Sequence, residues 1–245
     1  MWEFSLACDN KNKDIIEYIN NCFCQDLPDC MLTTFTDKHF TYLLFASDER
    51  LATICKSKIQ QCVITYIIDV YKYEYFTSRI AKNNNQLITQ AYIKSLSLYD
   101  VSTDIDYLKL RLSLQQEFHI DSFIQFKMND MVRMWNELCE LVTSNINYLN
   151  QDMMIDVMRS FIGTFEISTS TLKIIIENDG FVLYKIDENN CLVKLKDNAP
   201  AIDVVNYTMF TNPRNIEIYG DIKQNFSMIN LLKSLYDDKV VVISK

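Results

Sequence analysis

Apolar residues recur at three- and four-residue steps through most of the first two-thirds of the chain, the period of an amphipathic helix. One helix is predicted after Ser47, with a buried stripe of Cys55, Ile59, Cys62, Tyr66 and Val70. Further helices are predicted over residues 14–24, 87–97, 104–118 and 151–165. Only two short strands, at residues 2–7 and 40–45, are predicted in this part.

The most regular stripe is Ile124, Met128, Met131, Trp135, Leu138 and Val142. Ser122 and Gln125 precede it with the S-x-x-Q spacing of a capping box, so a helix is predicted to begin at Ser122. Trp135 lies at the centre of the stripe and is predicted to be buried. Asp130, Glu137 and Glu140 lie on the opposite side of this helix and are predicted to face solvent.

After Gly163 the pattern changes to that of strands. Residues 172–177 and 181–186 flank Asn178-Asp179-Gly180, which predicts a hairpin, and a third strand follows at 191–196. Beyond Pro200 the pattern predicts a helix (202–210), a strand (215–219), a helix (226–236) and a strand (239–244), hence a parallel β-α-β unit. The expected fold class is α+β: a mostly helical region with short N-terminal strands over residues 1–168, and a small mixed sheet over 169–245.

Only three glycines occur in 245 residues, where average usage predicts roughly 17. The chain contains no GxGxxG, GxxxxGK[ST] or GxSxG segment, which excludes the Rossmann, P-loop and nucleophile-elbow motifs. The formal net charge is −8, and half of it lies in residues 118–170. General nucleic-acid binding is therefore not expected, because it depends on cationic side chains that neutralise phosphates.

Glu3 and Asp9 stand where a signal peptide carries basic and apolar residues, and apolar runs are too short for a membrane span. We therefore expect a cytoplasmic protein in which all eight cysteines are reduced thiols. The abundance of Ile, Asn and Lys is typical of an AT-rich genome, in a spore-forming bacterium or in another AT-rich source such as a large DNA virus.

Residues 118–245 resemble the sporulation protein YtxC family. The shared features are the segment from Asp121 to Asp130 that runs into the Trp135 helix, the hairpin around Gly180-Phe181-Val182-Leu183-Tyr184, and Asn212-Pro213 before a strand. A last helix leading to Lys239-Val240-Val241-Val242 completes the pattern. The chain departs from the family at Tyr219, where a His is common, and at its end, Ile243-Ser244-Lys245. The resemblance implies a role in spore formation and no particular biochemical activity.

Cys22, Cys24, Cys30 and His39 form the nearest approach to a metal-binding pattern. Their C-x-C spacing differs from the C-x₂₋₄-C pairs of structural zinc sites, so buried small side chains are the preferred interpretation. His119 is predicted to lie in the turn before the capped helix, close to a carboxylate. Asp104 and Asp106 are interpreted as solvated acids at a helix start. We expect no metal, no cofactor and no catalytic group.

Two functional hypotheses follow. In the first, the protein is non-enzymatic and acts in spore formation through contacts with an unknown protein, with Asp130, Glu137 and Glu140 as the contact residues. In the second, it is an enzyme or small-ligand-binding protein with a site at the C-terminal ends of strands 215–219 and 239–244, next to Gly220 and Asp221. Converging polar groups in a pocket there would favour the second hypothesis.

Overall fold

The structure, a computed structural model, describes residues 1–24, 30–80, 86–145, 150–177, 180–187, 191–220 and 225–243. The chain separates into two compact units, each assembled from two stretches. The N-terminal unit is Met1–Tyr75 with Asp100–Leu141, and the C-terminal unit is Phe76–Tyr99 with Val142–Lys245. The units thus alternate along the chain, whereas the sequence-based division places a single boundary near residue 168.

The N-terminal unit contains a four-stranded sheet in the order β2-β3-β1-β4. The strands are β1 (Trp2–Asp9), β2 (Met31–Thr36), β3 (Phe40–Ser47) and β4 (Glu117–His119), and helix α1 (Asp14–Cys24) connects β1 to β2. Because β3 lies between β1 and β2 and is antiparallel to both of its neighbours, this is a split β-α-β arrangement. The short strand β4 pairs in parallel with β1.

One face of this sheet forms part of a core. Phe4, Leu6 and Cys8 alternate along β1 and are buried, as are Leu43 and Phe45 of β3. Helix α1 contributes four buried apolar side chains, Ile15, Ile16, Ile19 and Phe23. The Phe23 and Phe45 rings meet edge to face with centroids 4.9 Å apart, so helix and sheet share one apolar layer.

The helices of the N-terminal unit follow the predicted stripes. They are α2 (Ala52–Tyr66), the first part of α3 (Lys72–Ile80), α5 (Val101–Arg111), α6 (Ile120–Lys127) and most of α7 (Asn129–Asn145). A π-helical turn, Ile67–Tyr71, joins α2 to α3. Cys55, Ile59, Cys62 and Tyr66 are buried as predicted, whereas Val70, predicted to be buried with them, is half-buried in the π-helical turn.

The C-terminal unit combines a five-stranded mixed sheet, in the order β7-β6-β5-β8-β9, with four complete helices among its described residues. The strands are β5 (Ser168–Glu177), β6 (Gly180–Ile186), β7 (Leu192–Ala199), β8 (Pro213–Tyr219) and β9 (Val240–Ile243). The helices are α4 (Leu87–Ser97), α8 (Gln151–Ile162), α9 (Ala201–Thr211) and α10 (Phe226–Tyr236). The predicted hairpin β5–β6 and the parallel β8-α10-β9 unit are both present.

The α+β fold class is confirmed, with three corrections. The N-terminal part contains a complete sheet, because β2 and β4 join the two predicted strands. The helix predicted over 104–118 ends at Arg111, and Glu117–His119 pairs with Ser5–Ala7 as a strand. The helix predicted to begin at Ser122 is two helices, α6 and α7, and α6 begins at Ile120 with His119 as its N-cap.

Candidate functional site

The face of the N-terminal sheet that alternates with its core face carries large apolar side chains in contact with solvent. We call it the open face; it comprises Glu3, Ser5, Ala7 and Asp9 of β1, Met31, Thr33 and Phe35 of β2, Phe40, Tyr42, Leu44 and Ala46 of β3, and Glu117 and His119 of β4. Met31 is 79% exposed, Phe35 57% and Leu44 37%. Exposed apolar groups on adjacent strands indicate a surface suited to contact.

A cavity of about 720 Å³ lies across this face. Its lining includes Met31, Leu44 and Ala46, with the carboxylates of Glu3 and Glu117. The sequences of the four strands contain no Lys or Arg, so apart from His119 their side chains on the open face that can be charged at neutral pH are carboxylates. The cavity therefore combines apolar walls with negative charge, a pairing that suits an apolar side chain on a basic ligand.

At one end of the open face, Asp9 and His119 meet Asp121 from the first turn of α6. One potential ligand atom from each of these three side chains lies within 4.8 Å of the other two. Asp9 ends β1 and His119 ends β4, and the parallel register that pairs Ala7 with His119 brings these two ends together. Sequence analysis placed His119 correctly before the helix and near a carboxylate, but it did not identify Asp9 or Asp121. The only signal for them in the sequence is the position of Asp9 after an apolar strand and of Asp121 in the first turn of a helix.

Hydrogen bonds hold the carboxylate of Asp121 in position. The backbone N–H of Asp9 donates to Oδ2 at 2.7 Å, and the side-chain amide of Asn12 donates to Oδ1. Asp9 is paired with Lys11 (3.4 Å). Burial, followed by the negative charges of Asp121 and Asp9, raises the pKa of the neighbouring Cys8 thiol to about 12, so Cys8 stays protonated at neutral pH.

Asp9 and Asp121 also line a second cavity, of about 490 Å³. Its other polar groups include Asn12, Glu74 and Gln125. The Tyr66 side chain lies at this cavity as well, and burial raises its pKa above the ordinary tyrosine value. The cavity wall therefore presents carboxylates and amides, which bind cations and hydrogen-bond donors, together with a protonated phenol and the ammonium group of Lys11.

A lysine and an aspartate are buried together in the helical part of the N-terminal unit. Lys72 Nζ lies 2.6 Å from Asp104 Oδ2, and the indole N–H of Trp135 donates to the same carboxylate at 3.2 Å. Burial lowers the pKa of Lys72 and raises that of Asp104, while their mutual attraction opposes both shifts. The interpretation of Asp104 as a solvated acid was therefore wrong, since it is 3% exposed. Its partner Lys72 lies too far away in sequence to have been foreseen.

The three residues predicted to contact a partner, Asp130, Glu137 and Glu140, are all exposed on α7. Asp130 is paired with Arg133 at 3.5 Å, and Glu140 accepts a hydrogen bond from the side chain of Asn136 at 2.7 Å. Trp135 is buried on the opposite side, as predicted. Met134 and Leu141 share the exposed side of the helix and are 44% and 62% exposed.

The other candidates are placed differently. Among the described side chains, Cys22, Cys30 and His39 do not form a three-ligand group, and the side chain of Cys24 lies outside the described part. The seven cysteines whose side chains are described, Cys8, Cys22, Cys30, Cys55, Cys62, Cys139 and Cys191, are free thiols. No helix among the described residues has the length and apolar character needed to cross a membrane.

At the C-terminal end of β8, Gly220 has a structural explanation. Its φ is +129°, and a Cβ there would lie 2.9 Å from the Cβ of Ile176 on the neighbouring strand β5. Close packing therefore requires glycine at this position. Asp221 and the residue after Ile243 fall outside the described residues, so the ligand site predicted at these strand ends stays a prediction. A cavity of about 140 Å³ in this unit lies near Pro213, at the opposite end of β8.

Comparisons of the chain with protein-family models, with curated proteins and with solved structures found no match.

Proposed function

We propose that this chain is a non-enzymatic protein that binds another protein through the open face of its N-terminal sheet. The observation that carries the proposal is the exposure of Met31, Phe35 and Leu44 on two adjacent strands. Folding gains free energy by removing such side chains from water, at about 25 cal/mol per Å² of apolar surface. A partner that covers this face removes these side chains from water, so the burial of their apolar surface stabilises the complex.

The charge of the open face defines the kind of partner. Glu3 and Glu117 line the 720 Å³ cavity together with Met31 and Leu44, and the four strands contribute no Lys or Arg. A basic segment that carries at least one large apolar side chain fits both properties. The apolar group would fill the cavity, while its cationic neighbours would be attracted to the carboxylates.

The exposed side of α7 is a second contact surface within the same proposal. Asp130, Met134, Glu137 and Leu141 follow one another at helical spacing and are exposed. The mixture of acidic and apolar groups resembles that of the open face. However, Asp130 is already paired with Arg133, so less negative charge is left there to attract a basic partner.

Binding of labelled peptides, followed by fluorescence anisotropy, tests the proposal. The probe is a basic amphipathic peptide containing Lys, Leu and Phe; one control peptide replaces Lys with Glu, and another replaces Leu and Phe with Ser. We expect only the basic amphipathic peptide to bind, with an affinity that falls as salt is raised. Equal binding of all three peptides, or of none, contradicts the proposal.

Variants locate the contact surface. Leu44→Lys places a positive charge on the open face and should weaken binding at least tenfold. Val193→Lys is the matched control, because Val193 is 50% exposed on β7 of the C-terminal unit. Changing Asp130, Glu137 and Glu140 together to Lys tests the α7 surface. Loss of binding in the triple variant, with full binding by Leu44→Lys, would move the site from the sheet to α7.

The biological setting, spore formation, is proposed on the resemblance of residues 118–245 to the YtxC family alone. If the source is a spore-forming bacterium, deleting the gene should lower spore yield. Normal spores in the deletion strain would remove this part of the proposal and leave the peptide-binding part standing.

A further inference from the structure

The cluster of Asp9, His119 and Asp121 contains a polar atom whose hydrogen-bonding capacity is unmet. His119 Nε2 is inaccessible to solvent and has no hydrogen-bond partner among the described residues, although 27% of the His119 side chain is exposed elsewhere. Its nearest anionic neighbour, Asp9 Oδ1, is 3.8 Å away, too far for a hydrogen bond. Leaving a buried nitrogen without a partner is unfavourable. In the tautomer with the proton on Nδ1, the lone pair of Nε2 is free, and a cation between Nε2 and Asp9 Oδ1 would satisfy both atoms.

The surroundings of the cluster are those of a metal site. Ligating carboxylates are usually held by outer hydrogen bonds, and Asp121 accepts two of them, from the Asp9 backbone and from the Asn12 side chain. Ligating histidines usually donate a hydrogen bond from the other ring nitrogen. His119 Nδ1 lies 3.3 Å from both the backbone N and the Oγ of Ser122, and it accepts the backbone N–H in the absence of a metal. When Nε2 binds a metal, Nδ1 carries the proton, gives up the backbone bond and donates to Ser122 Oγ instead.

We propose that Asp9, His119 and Asp121 bind one divalent first-row transition ion. Carboxylates suit Mn²⁺, whereas imidazole suits Zn²⁺ and Fe²⁺, so a set of two carboxylates and one imidazole selects this class over Mg²⁺ or Ca²⁺. Asp9 and Asp121 line the 490 Å³ cavity, which gives an ion access to the site. The inference goes beyond the proposed protein contact and does not depend on it, and it differs from the expectation that the chain holds no metal.

Metal-free protein, prepared with a chelator, would be titrated with Zn²⁺ by calorimetry and with Mn²⁺ by electron paramagnetic resonance. We expect one ion per chain. His119→Asn removes the imidazole but keeps a favoured N-cap residue for α6, and Asp9→Asn removes one carboxylate. The metal affinity of each variant should be at least about tenfold lower, because loss of even an outer hydrogen-bond partner of a ligand lowers metal affinity by about that factor. Asp130→Asn, a first-turn acid outside the cluster, should bind like the original protein.

A measurement on the unchanged protein keeps the test independent of variant folding. The chain has two histidines, His39 and His119. Zn²⁺ should shift the NMR signals of the His119 ring and leave those of His39 in place, with assignment by a His39→Gln variant. Absence of stoichiometric binding overturns the inference. Binding that leaves the His119 signals unshifted also overturns it. Full binding by the His119→Asn and Asp9→Asn variants, shown by circular dichroism to be folded, does the same.

Discussion

Two lysine–aspartate pairs have the same 2.6 Å distance between Nζ and Oδ2, one in each unit, but they differ in burial. The side chains of Lys72 and Asp104 in the N-terminal unit are 2% and 5% exposed, whereas those of Lys196 and Asp203 in the C-terminal unit are 53% and 36% exposed. Distance alone therefore says little about what a pair does. Burial removes water from both charges, so each buried group depends on its partner.

The open faces of the two sheets differ in a related way. In the C-terminal sheet, Lys173, Glu217 and Tyr219 lie on one face and satisfy one another: the Tyr219 hydroxyl donates to Glu217 at 2.8 Å, and Lys173 Nζ lies 4.4 Å from the Tyr219 ring centroid. The open face of the N-terminal sheet instead exposes Met31 and Phe35. Among the described residues, the C-terminal face exposes large apolar side chains only on its edge strands, at Leu192, Val241 and Ile243, whereas the N-terminal face also exposes Leu44 on the inner strand β3.

The N-terminal unit combines three departures from simple stability rules. It contains the buried ion pair, the exposed apolar face and the cluster with an unpartnered imidazole nitrogen. Functional sites are where proteins break such rules. Functional experiments are therefore best aimed first at the N-terminal unit.

The largest expected effect comes from Asp104→Ala, which removes the carboxylate paired with the buried Lys72 ammonium group. Removing one partner of a buried ion pair costs about 3–5 kcal/mol in the free energy of unfolding. The matched change, Asp203→Ala, breaks the exposed pair and should cost less than about 1 kcal/mol. Urea denaturation at pH 7 measures both. Similar losses for the two variants would show that burial does not distinguish the pairs.

The destabilisation in Asp104→Ala should depend on pH. Burial lowers the pKa of Lys72 below 10.5, the value for an unperturbed lysine, and loss of Asp104 lowers it further. Between the folded and unfolded pKa values the unfolded chain binds more protons, so stability rises with pH in that window. The variant should therefore recover stability, relative to the original protein, as the pH is raised from 7 towards 10. A deficit that grows over this range contradicts the assignment.

Sequence periodicity predicted the helices and strands that are determined by the local spacing of apolar residues. The stripe of α2, the hairpin β5–β6 and the burial of Trp135 were predicted correctly because apolar spacing alone determines them. The strand β4 was missed because its three residues, Glu117–His119, are defined by pairing with Ser5–Ala7, more than a hundred positions earlier. Short strands that depend on such distant pairing leave little local signal.

The candidate site was less predictable than the fold for the same reason. The Ser122 capping box was a plausible local pattern, but the His119 imidazole accepts the Ser122 backbone N–H at 3.3 Å and replaces it. Asp9, His119 and Asp121 come together only through the β1–β4 register. Likewise, nothing near Asp104 in the sequence indicates that Lys72 lies opposite it. Spacing predicts faces of helices and strands, whereas sites depend on which faces meet.

The next smaller effect concerns Trp135, the third member of the buried polar group. Trp135→Phe keeps an aromatic ring but removes the indole N–H that donates to Asp104. Loss of a donor to a buried charged acceptor should cost about 1–3 kcal/mol. The control is the same change in a Lys72→Met, Asp104→Leu background, in which the acceptor is absent and the loss should be clearly smaller. Equal losses in both backgrounds would assign the effect to ring packing alone.

The smallest expected effect tests the C-terminal sheet. Lys173→Met keeps the length of the apolar stem but removes the ammonium group over the Tyr219 ring. The free energy of unfolding should fall by about 0.5–1 kcal/mol, the contribution of an exposed cation–π contact. Lys239→Met is the matched control, because Lys239 Nζ lies farther from its ring, 6.0 Å from the centroid of Tyr236, and should cost less. Peptide binding by the open face of the N-terminal sheet should be unchanged in Lys173→Met. An exposed cation–π contact contributes far less than about 2 kcal/mol. A larger loss of stability in Lys173→Met would therefore mean that this polar group is essential to the C-terminal unit, and the contrast between the two faces would no longer hold.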